Sequence, residues 1–274
     1  MQKVRVNRNG IPVWGYLENQ QIYLDSGEKI KQEEAEFLAP VEPSKIIAVH
    51  LNYPSRLEAF GGNIPPWPSY FLKPVSALSG HQAEVARPKN TKYLNYEGEI
   101  AVIIGKRAKA VSREDALNYI AGYSPANDFG VHDFRTSDNN SMLRVKGQDG
   151  FCPIGPGIIP AHEVDPHNMP LRTYVNGKLV QVGNTRELMF PFDYLIADLS
   201  RLITLEPGDV ILTGTPANSR PVHPGDIVAV EIEGYGRLEN RIVESEVDFG
   251  DFGAQPEDSE YGRNTAFEIG RVKK

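Results

Sequence analysis

The chain has 274 residues, which is enough to bury one large hydrophobic core or two modest ones. Its 40% hydrophobic and 24% charged residues are typical of a soluble globular protein, and a net charge of −7 without a basic stripe argues against a nucleic-acid partner. One cysteine, Cys152, excludes an internal disulfide, and neither an apolar leader nor a run of 18 apolar residues occurs, so we expect a cytoplasmic protein without a membrane span.

Residues 1–44 predict a small N-terminal β subdomain. The segments KVRVNR, PVWGYLE and QIYLD have the composition of short strands, and the Asn-Gly and Ser-Gly pairs that follow them indicate turns. A proline-rich segment, LAPVEPSK, has the composition of a linker into a second unit, which we place at residues 45–245.

That second unit begins with a buried strand at KIIAVHLNY, residues 45–53. The next segment, PSRLEAFGGNIPPWPSYF, combines one helical turn with a Gly-Gly and a Pro-Pro pair. Such a composition suits either a mobile flap over a site or an ordinary surface loop.

Downstream of residue 95 the predicted elements are better defined. In chain order they are a strand at 96–104, a helix at 111–123 with Ser112 as N-cap, a hairpin at 172–183 around Asn176-Gly177, a helix at 192–205, and strands within 205–216 and 223–244. Residues 246–274, rich in Asp, Gly and Glu, predict an acidic tail that is extended or partly disordered. Because strands outnumber helices and no regular βαβ series is present, we predict a strand-rich α+β fold.

Two glutamates lie one residue apart at the start of the strand at 96–104. Glu97 and Glu99 share one face of this strand, and both faces turn apolar within three residues, which indicates a strand covered on both sides. The pair then has two interpretations. The glutamates either lie at a solvated strand end, or they are partly buried and need a proton or a cation.

Asp128 and Lys146 are the next ionisable residues of interest. Asp128 follows a predicted helix end and a Ser-Pro turn, where a turn aspartate is the more usual interpretation. Three carboxylates without a histidine would suit Mg²⁺ or Mn²⁺. Lys146 lies in a Gly-rich stretch and would either neutralise a carboxylate or a developing enolate, or be a solvated surface lysine.

Seven motifs occur in a familiar order across residues 45–245: LNYPSR, YFLKP, YEGEIAVIIG, AGYSPANDFGVHD, KGQDGFCPIGP, VNGKLVQVGNT and LEPGDVILTGTPAN. With these motifs the chain resembles the fumarylacetoacetate hydrolase superfamily, and it is most similar to the branch of isomerases and decarboxylases that act on dienedioates in aromatic catabolism. The resemblance implies a mixed β-sandwich roll, a homodimer and one divalent metal ion, Mg²⁺ or Mn²⁺, per subunit.

The resemblance also implies a set of site residues. The family's metal ligands fall on Glu97, Glu99 and Asp128, and its active-site lysine falls on Lys146. The threonine of the TGTP motif, which approaches the acid group of the substrate in the family, falls on Thr215. These correspondences are expectations by analogy.

The flap segment departs from the pattern of the family's hydrolases. Those hydrolases carry a His-Glu dyad there, whereas the corresponding positions here are Arg56 and Ala59. Glu58 lies one position early, and Ser55 to Glu58 has the pattern of a capping box on a short lid helix. We expect Arg56 to act in catalysis by pairing with the far carboxylate of a dianionic substrate when the flap closes.

A second departure follows the metal-binding aspartate. The arginine and glutamine that bind substrate in the family are replaced here by His132 and Arg135. We keep both, together with Asn52 of the LNYPSR motif, as candidate substrate-binding residues. His50 could stand in for the missing base, although strand alternation favours a buried structural histidine.

These features predict an enzyme that acts on a 2-oxo or 2-hydroxy dicarboxylic acid, with a metal ion as Lewis acid stabilising an enolate. Hydrolysis of a C–C bond also needs a base to activate water, so the missing dyad favours isomerisation or decarboxylation. Two alternatives remain open. One is a hydrolase of acylpyruvates or fumarylpyruvate, or an oxaloacetate decarboxylase, on the same metal site; the other is a non-enzymatic metal-binding or sugar-binding β module.

Overall fold

A computed structural model describes residues 1–139 and 141–270. The first ten strands, β1 to β10, are Gln2–Arg8, Ile11–Glu18, Gln21–Leu24, Lys29–Lys31, Glu36–Leu38, Ile46–His50, Ser69–Lys73, Leu78–Ser79, Glu84–Arg87 and Leu94–Asn95. Strands β11 to β20 are Gly98–Ile104, Ile120–Asn127, Gly130–Val131, Cys152–Pro153, Gly157–Pro160, Pro170–Val175, Lys178–Asn184, Val210–Leu212, Ile227–Ile232 and Gly236–Glu244. Helices α1 to α5 are Pro54–Ala59, Arg113–Ala116, Leu143–Lys146, Phe192–Leu202 and Glu260–Phe267. A search of the described residues finds no helix with the length and apolar character needed to cross a lipid bilayer.

Two large sheets form the body of the protein. The larger sheet has eleven strands in the order β4-β3-β2-β1-β15-β12-β11-β18-β6-β7, with β5 paired to β1. The second sheet has five strands in the order β17-β16-β19-β20-β9. Most pairs are antiparallel, but β18 with β6 and β20 with β9 are parallel. The predicted strand-rich α+β fold with mixed sheets is therefore confirmed.

The central strand β11 is covered on both sides, as its sequence predicts. Ile100 and Val102 point into the largest apolar cluster, which joins the two sheets and the inner face of α4. Ala101 and Ile103 point into a second cluster on the opposite face. Each fully buried isoleucine stabilises the fold by roughly 1.5–3 kcal/mol, so apolar packing on both faces anchors the strand that carries Glu99.

The N-terminal strands have a core of their own. Val4, Val6, Ile22 and Phe37 are buried together in a separate cluster. However, β1 pairs with β15, so these strands extend the larger sheet. The predicted division of the chain at residue 44 stays a prediction.

The predicted helix at 111–123 is wrong over its second half. Ser112 is the N-cap of α2, and its hydroxyl accepts a hydrogen bond from the Asp115 amide. After a short 3₁₀ turn, strand β12 starts at Ile120, so Asp128 follows a strand and not a helix end. The physical reason is pairing with β11 along almost the whole length of β12, which overrides the local helical pattern.

The capping box predicted at the start of the flap helix is also wrong. The N-cap of α1 is Tyr53, which makes no side-chain capping bond, and Pro54 begins the helix. Proline is well suited to the first helical position, and with Pro54 there Ser55 lies two positions past the N-cap. The Ser55 hydroxyl instead accepts a hydrogen bond from the Ala217 amide at 3.3 Å.

The acidic tail forms helix α5 over part of its length. Ser259 caps α5 by accepting a hydrogen bond from the Gly262 amide at 3.0 Å, and Thr265 and Ala266 are buried. The expectation of an extended or partly disordered tail is therefore wrong for residues 259–268, which form a capped helix. The last part of that predicted tail, residues 271–274, lies outside the described residues.

Burial of His81 makes the stability of the fold depend on pH. This histidine packs edge-on against Phe37, and its Nδ1 accepts a hydrogen bond from the Glu239 amide at 3.1 Å. Desolvation lowers the pKa of His81 from 6.5 to about 4. The unfolded chain therefore binds one more proton than the folded chain between these values, so stability is retained above pH 6.5 and is lost as the pH falls towards 4.

We expect His81→Asn to remove part of this acid sensitivity. The asparagine oxygen can accept the same backbone hydrogen bond but does not titrate, so between pH 7 and pH 4 the variant should lose roughly 3 kcal/mol less unfolding free energy than the parent. Urea unfolding with chelator at both pH values measures this difference. His167→Asn, at an exposed position, is the matched control. Parallel losses in the His81 variant and the parent would contradict the assignment.

Candidate active site

The pairing of two central strands brings the three predicted metal ligands together. Strands β11 and β12 pair with Gly98 opposite Asn127. This register places Asp128, the next residue after Asn127, beside Glu97 and close to Glu99. The Asp128 amide donates to the Glu97 carbonyl at 2.9 Å. One carboxylate oxygen of each acidic residue lies within 4.8 Å of the others, and all three residues are buried.

The pKa values of two of the buried carboxyls, Glu99 and Asp128, are shifted in opposite directions. Burial, followed by the charges of Asp128 and Glu97, raises the pKa of the Glu99 carboxyl well above its usual value. Burial acts on Asp128 in the same direction, but the ammonium groups of Lys146 and Lys73 outweigh it and hold the pKa of that carboxyl below its usual value. Of the two interpretations of the glutamate pair, the buried one is correct.

Three buried cations neutralise part of this acidic cluster. Lys146 Nζ lies 2.7 Å from Glu97 Oε2 and 3.0 Å from Asp128 Oδ2. Lys73 Nζ donates to the other oxygen of Asp128, and Arg56 Nη2 donates to Glu97 Oε1 at 2.7 Å. Buried charges of this kind are tolerated because each has a partner of opposite sign within hydrogen-bonding distance.

Glu99 is the member of the cluster that has no ion-pair partner among the described residues. Its Oε2 accepts a hydrogen bond from the Gly214 amide at 2.8 Å, which satisfies one oxygen without supplying charge. The raised pKa of Glu99 means that a proton or a metal ion is needed beside it. Three carboxylates without histidine or thiolate form a donor set that fits Mg²⁺ or Mn²⁺.

A cavity of about 520 Å³ opens onto the three carboxylates. Lys146 and Thr215 line it on the side of the acidic cluster, and Arg56 and Phe60 contribute from the flap. Helix α5 also forms part of the wall. A volume of this size is typical of a site for a small organic molecule.

Arg135 lies in the wall of this cavity, and within the described part of the chain it has no carboxylate partner. Its Nη1 donates only to the sulfur of Met142, at 3.2 Å, and its Nε has no hydrogen-bond partner within the described part of the chain. No ion pair of Arg135 is found among residues 1–139 and 141–270. Burial lowers the pKa of the guanidinium, and an arginine remains charged at neutral pH nonetheless.

His132 and Asn52 are placed differently from what substrate binding would suggest. His132 is fully buried, and its Nδ1 lies 2.9 Å from the Thr265 hydroxyl. Burial, then the charge of Arg135, lowers the pKa of His132 well below 6.5, so the ring is neutral. The Asn52 amide bonds to the backbone of Phe190 and Thr213. Neither side chain is among those that line the cavity in the described structure.

Thr215 and His50 both reach the cavity. The Thr215 hydroxyl accepts a hydrogen bond from Gln181 Nε2 at 3.0 Å. His50 lies at the cavity wall with its ring centre 4.6 Å from that of Phe71. Burial, then the charges of Arg135 and other cations, lowers the pKa of His50 to about 4, so it is neutral and only weakly basic.

Sequence reasoning missed two residues of the charged network, Lys73 and Glu268. Lys73 follows an apolar run and precedes a proline in the YFLKP motif. A lysine in this position is the sequence signal that could have revealed it. Glu268 lies in the tail that was predicted to be extended or partly disordered, and nothing in the local sequence marks it. Its carboxylate is 1% exposed and pairs with Arg56.

The fold and the site together define a mixed β protein with a buried centre of three carboxylates at the floor of a small-molecule cavity. Residues 45–243 match the model of the fumarylacetoacetate (FAA) hydrolase C-terminal family. The chain belongs to the fumarylacetoacetate hydrolase family, which confirms the resemblance found in its sequence.

Relatives and solved structures support this assignment. The 4-hydroxyphenylacetate degradation bifunctional isomerase/decarboxylase of Escherichia coli is 42% identical over 245 residues, which are 89% of this chain and 56% of that protein. The chain thus spans about half the length of the curated relatives it matches. A solved 5-carboxymethyl-2-hydroxymuconate delta-isomerase from Mycobacterium smegmatis is 34% identical with a TM-score of 0.81, over 90% of this chain and all of that one.

A third comparison concerns the metal. The maleylpyruvate hydrolase from Sphingobium sp. SYK-6, solved in complex with manganese(II) ion and pyruvate, is 29% identical with a TM-score of 0.77. The similarity covers 90% of this chain and all of that structure.

Proposed function

We propose that this protein is a divalent-metal-dependent enzyme that isomerises or decarboxylates a 2-oxo or 2-hydroxy dicarboxylic acid from aromatic catabolism. The observation that carries the proposal is the buried cluster of Glu97, Glu99 and Asp128 at the floor of a cavity that also exposes Lys146. The names of the E. coli and M. smegmatis proteins support the substrate class.

Each carboxylate has a distinct part in holding the metal ion. Glu97 and Asp128 already pair with the buried cations Lys146 and Lys73, whereas Glu99 has a raised pKa and would exchange a proton for the ion. A bound Mg²⁺ or Mn²⁺ would supply Lewis acidity to the oxygens of a chelating 2-oxo acid. Lys146, in contact with two of the ligands, holds positive charge at the cavity surface and is placed to move a proton to or from the substrate.

Arg135 is the residue best placed to bind the far carboxylate of a dicarboxylic substrate. Arg56, which the sequence analysis predicts for this role, has both terminal nitrogens engaged by carboxylates of the protein. Arg135 faces the cavity and has no such partner among the described residues. An arginine fork of this kind can bind a carboxylate through two parallel hydrogen bonds.

The flap favours isomerisation or decarboxylation over hydrolysis. Hydrolysis needs a base that activates water, and the flap here offers Arg56 and Ala59 where the family's hydrolases carry the dyad. His50 is too weakly basic to replace it efficiently, with a pKa of about 4. The maleylpyruvate hydrolase comparison keeps C–C bond hydrolysis as the second candidate function.

A substrate panel tests the proposal. Dienedioates, fumarylpyruvate, acetylpyruvate and oxaloacetate are incubated with the protein and followed by ultraviolet absorbance, with Mg²⁺ or Mn²⁺ and with chelator. Turnover of a dienedioate only in the presence of metal supports the proposal. Turnover of acylpyruvates alone would support the hydrolase, and tight metal binding without any turnover would support a non-enzymatic binding protein.

We expect Arg135→Met to raise the KM for dicarboxylic substrates roughly 10- to 100-fold while kcat changes little, because a charge-assisted hydrogen bond contributes about 1.5–3 kcal/mol. Initial rates on a dicarboxylic and a monocarboxylic 2-oxo acid measure the effect. The monocarboxylic substrate should be unaffected. Arg107→Met, at an exposed arginine, is the matched control. An equal loss on both substrates would contradict the assignment.

Two further properties belong to this proposal. A single buried cysteine and the metabolic class of the relatives support a cytoplasmic location. The homodimer rests on the family resemblance alone, and sedimentation of the purified protein would test it.

A further inference from the structure

The C-terminal segment delivers a carboxylate into the protein interior at Glu268. This residue has a backbone φ of 54°, in the left-handed region that residues other than Gly and Asn seldom adopt. Its oxygens accept hydrogen bonds from the amides of Asn218 at 2.7 Å and Ser219 at 3.1 Å, and from Nη1 of Arg220 at 2.8 Å. A fourth donor, Arg56 Nη1, lies at 2.9 Å. Four donors thus satisfy the hydrogen-bonding capacity of this buried carboxylate and fix its position.

Arg56 connects this carboxylate to the candidate metal centre. Its Nη1 binds Glu268 and its Nη2 binds Glu97 at 2.7 Å, so one guanidinium bridges the C-terminal segment and a predicted metal ligand. Arg56 itself belongs to flap helix α1. The flap is thus held over the cavity by an arginine whose two partners both lie outside the flap.

Helix α5 also contacts the candidate site through residues other than Glu268. Tyr261, Asn264 and Thr265 line the cavity. Asn95, two residues before Glu97, donates from Nδ2 to the carbonyl of Ala266 at 2.8 Å. Since these contacts fix the helix close to the acidic cluster, the position of Glu268 is defined relative to the cavity.

We propose that Glu268 is a positioning residue for the flap and that residues 259–268 belong to the active site. The proposal rests on the proposed function, since it assigns the flap to the same cavity. Without the charge of Glu268, Arg56 would keep only Glu97 as a carboxylate partner among the described residues, so one ion pair instead of two would hold the flap. The flap would then open more often.

Hydrogen–deuterium exchange of residues 54–62 tests this role in the protein without substrate. In Glu268→Gln the side chain keeps its shape but loses its charge, and the flap amides should exchange about tenfold faster. The KM for the dicarboxylic substrate should rise more than kcat falls. Glu260→Gln, at an exposed glutamate on the first turn of the same helix, should change neither quantity. Glu268→Asp keeps the charge at shorter reach and should lie between the parent and Glu268→Gln.

A double-mutant cycle shows whether Glu268 acts through Arg56. If it does, the flap exchange of Arg56→Met combined with Glu268→Gln should equal that of Arg56→Met alone. Additive effects, or unchanged flap exchange in Glu268→Gln, would overturn the proposal. An inactive parent on the whole substrate panel would refute the proposed function instead, and the exchange measurements would still decide the role of Glu268.

Discussion

Replacing Glu99 with glutamine is expected to lower kcat by at least about a thousandfold. Lewis-acid assistance from a metal ion amounts to several kcal/mol, and each 1.36 kcal/mol is a factor of ten in rate. The amide oxygen of glutamine can still accept the hydrogen bond from the Gly214 amide, so the fold should persist. What the variant lacks is the third negative charge of the metal centre.

The same substitution should stabilise the metal-free protein. The pKa of Glu99 is raised in the folded state, so the stability that this group provides below its unfolded pKa is lost as the pH rises through the folded value. Glutamine does not titrate, and the advantage of the variant should grow across that window. In thermal unfolding, Mn²⁺ should raise the midpoint of the parent but hardly that of the variant.

Glu114→Gln, at an exposed glutamate of α2, serves as the control for both experiments. It should leave activity and the response to Mn²⁺ unchanged, because its carboxylate is exposed and is not one of the three carboxylates of the acidic cluster. A Glu99→Gln variant with parental kcat and a parental shift on adding Mn²⁺ would remove Glu99 from the metal centre.

The local sequence predicted those elements whose signals are contained within a few residues. The hairpin at Asn176-Gly177 follows from the two-residue turn, and α4 follows from apolar residues at helical spacing. Strand β12 was missed at its start because its conformation is set by pairing with β11 and β15, which local propensity does not contain. Helix α5 was missed because the acidic and glycine-rich residues before it conceal the Ser259 cap.

The metal-binding part of the candidate site could be predicted because residue type and family resemblance indicated the same three residues. The residue types of Glu97, Glu99 and Asp128 suggested a hard-metal site, and family resemblance joined two segments that the register of β11 and β12 indeed brings together. The counter-ions were not predictable in the same way. Arg56 and Glu268 are 212 positions apart in the chain, and an ion pair over such a separation leaves no local pattern.

Replacing Lys146 with methionine should separate the chemical role of this lysine from its structural role. Its ammonium group contacts Glu97 and Asp128 and faces the cavity, so loss of proton transfer should lower kcat by about 10²- to 10⁴-fold. Removing one partner from a buried ionic cluster should also destabilise the metal-free protein by about 3–5 kcal/mol. Adding Mg²⁺ or Mn²⁺ should recover part of that stability, but not the rate.

Two further variants distinguish charge from position. Lys146→Arg keeps the positive charge, so it should restore most of the stability while remaining slow, because a guanidinium does not release a proton at neutral pH. Gly130→Ala keeps the lysine but places a methyl group 2.8 Å from Lys146 Cε, which must move the ammonium group away from its present position. If displacement alone lowers kcat while metal affinity is unchanged, the exact placement of the ammonium matters. If Lys146→Met and Gly130→Ala both keep parental rates, the buried lysine serves only to neutralise the carboxylates, and the proton must be moved by another group in the cavity.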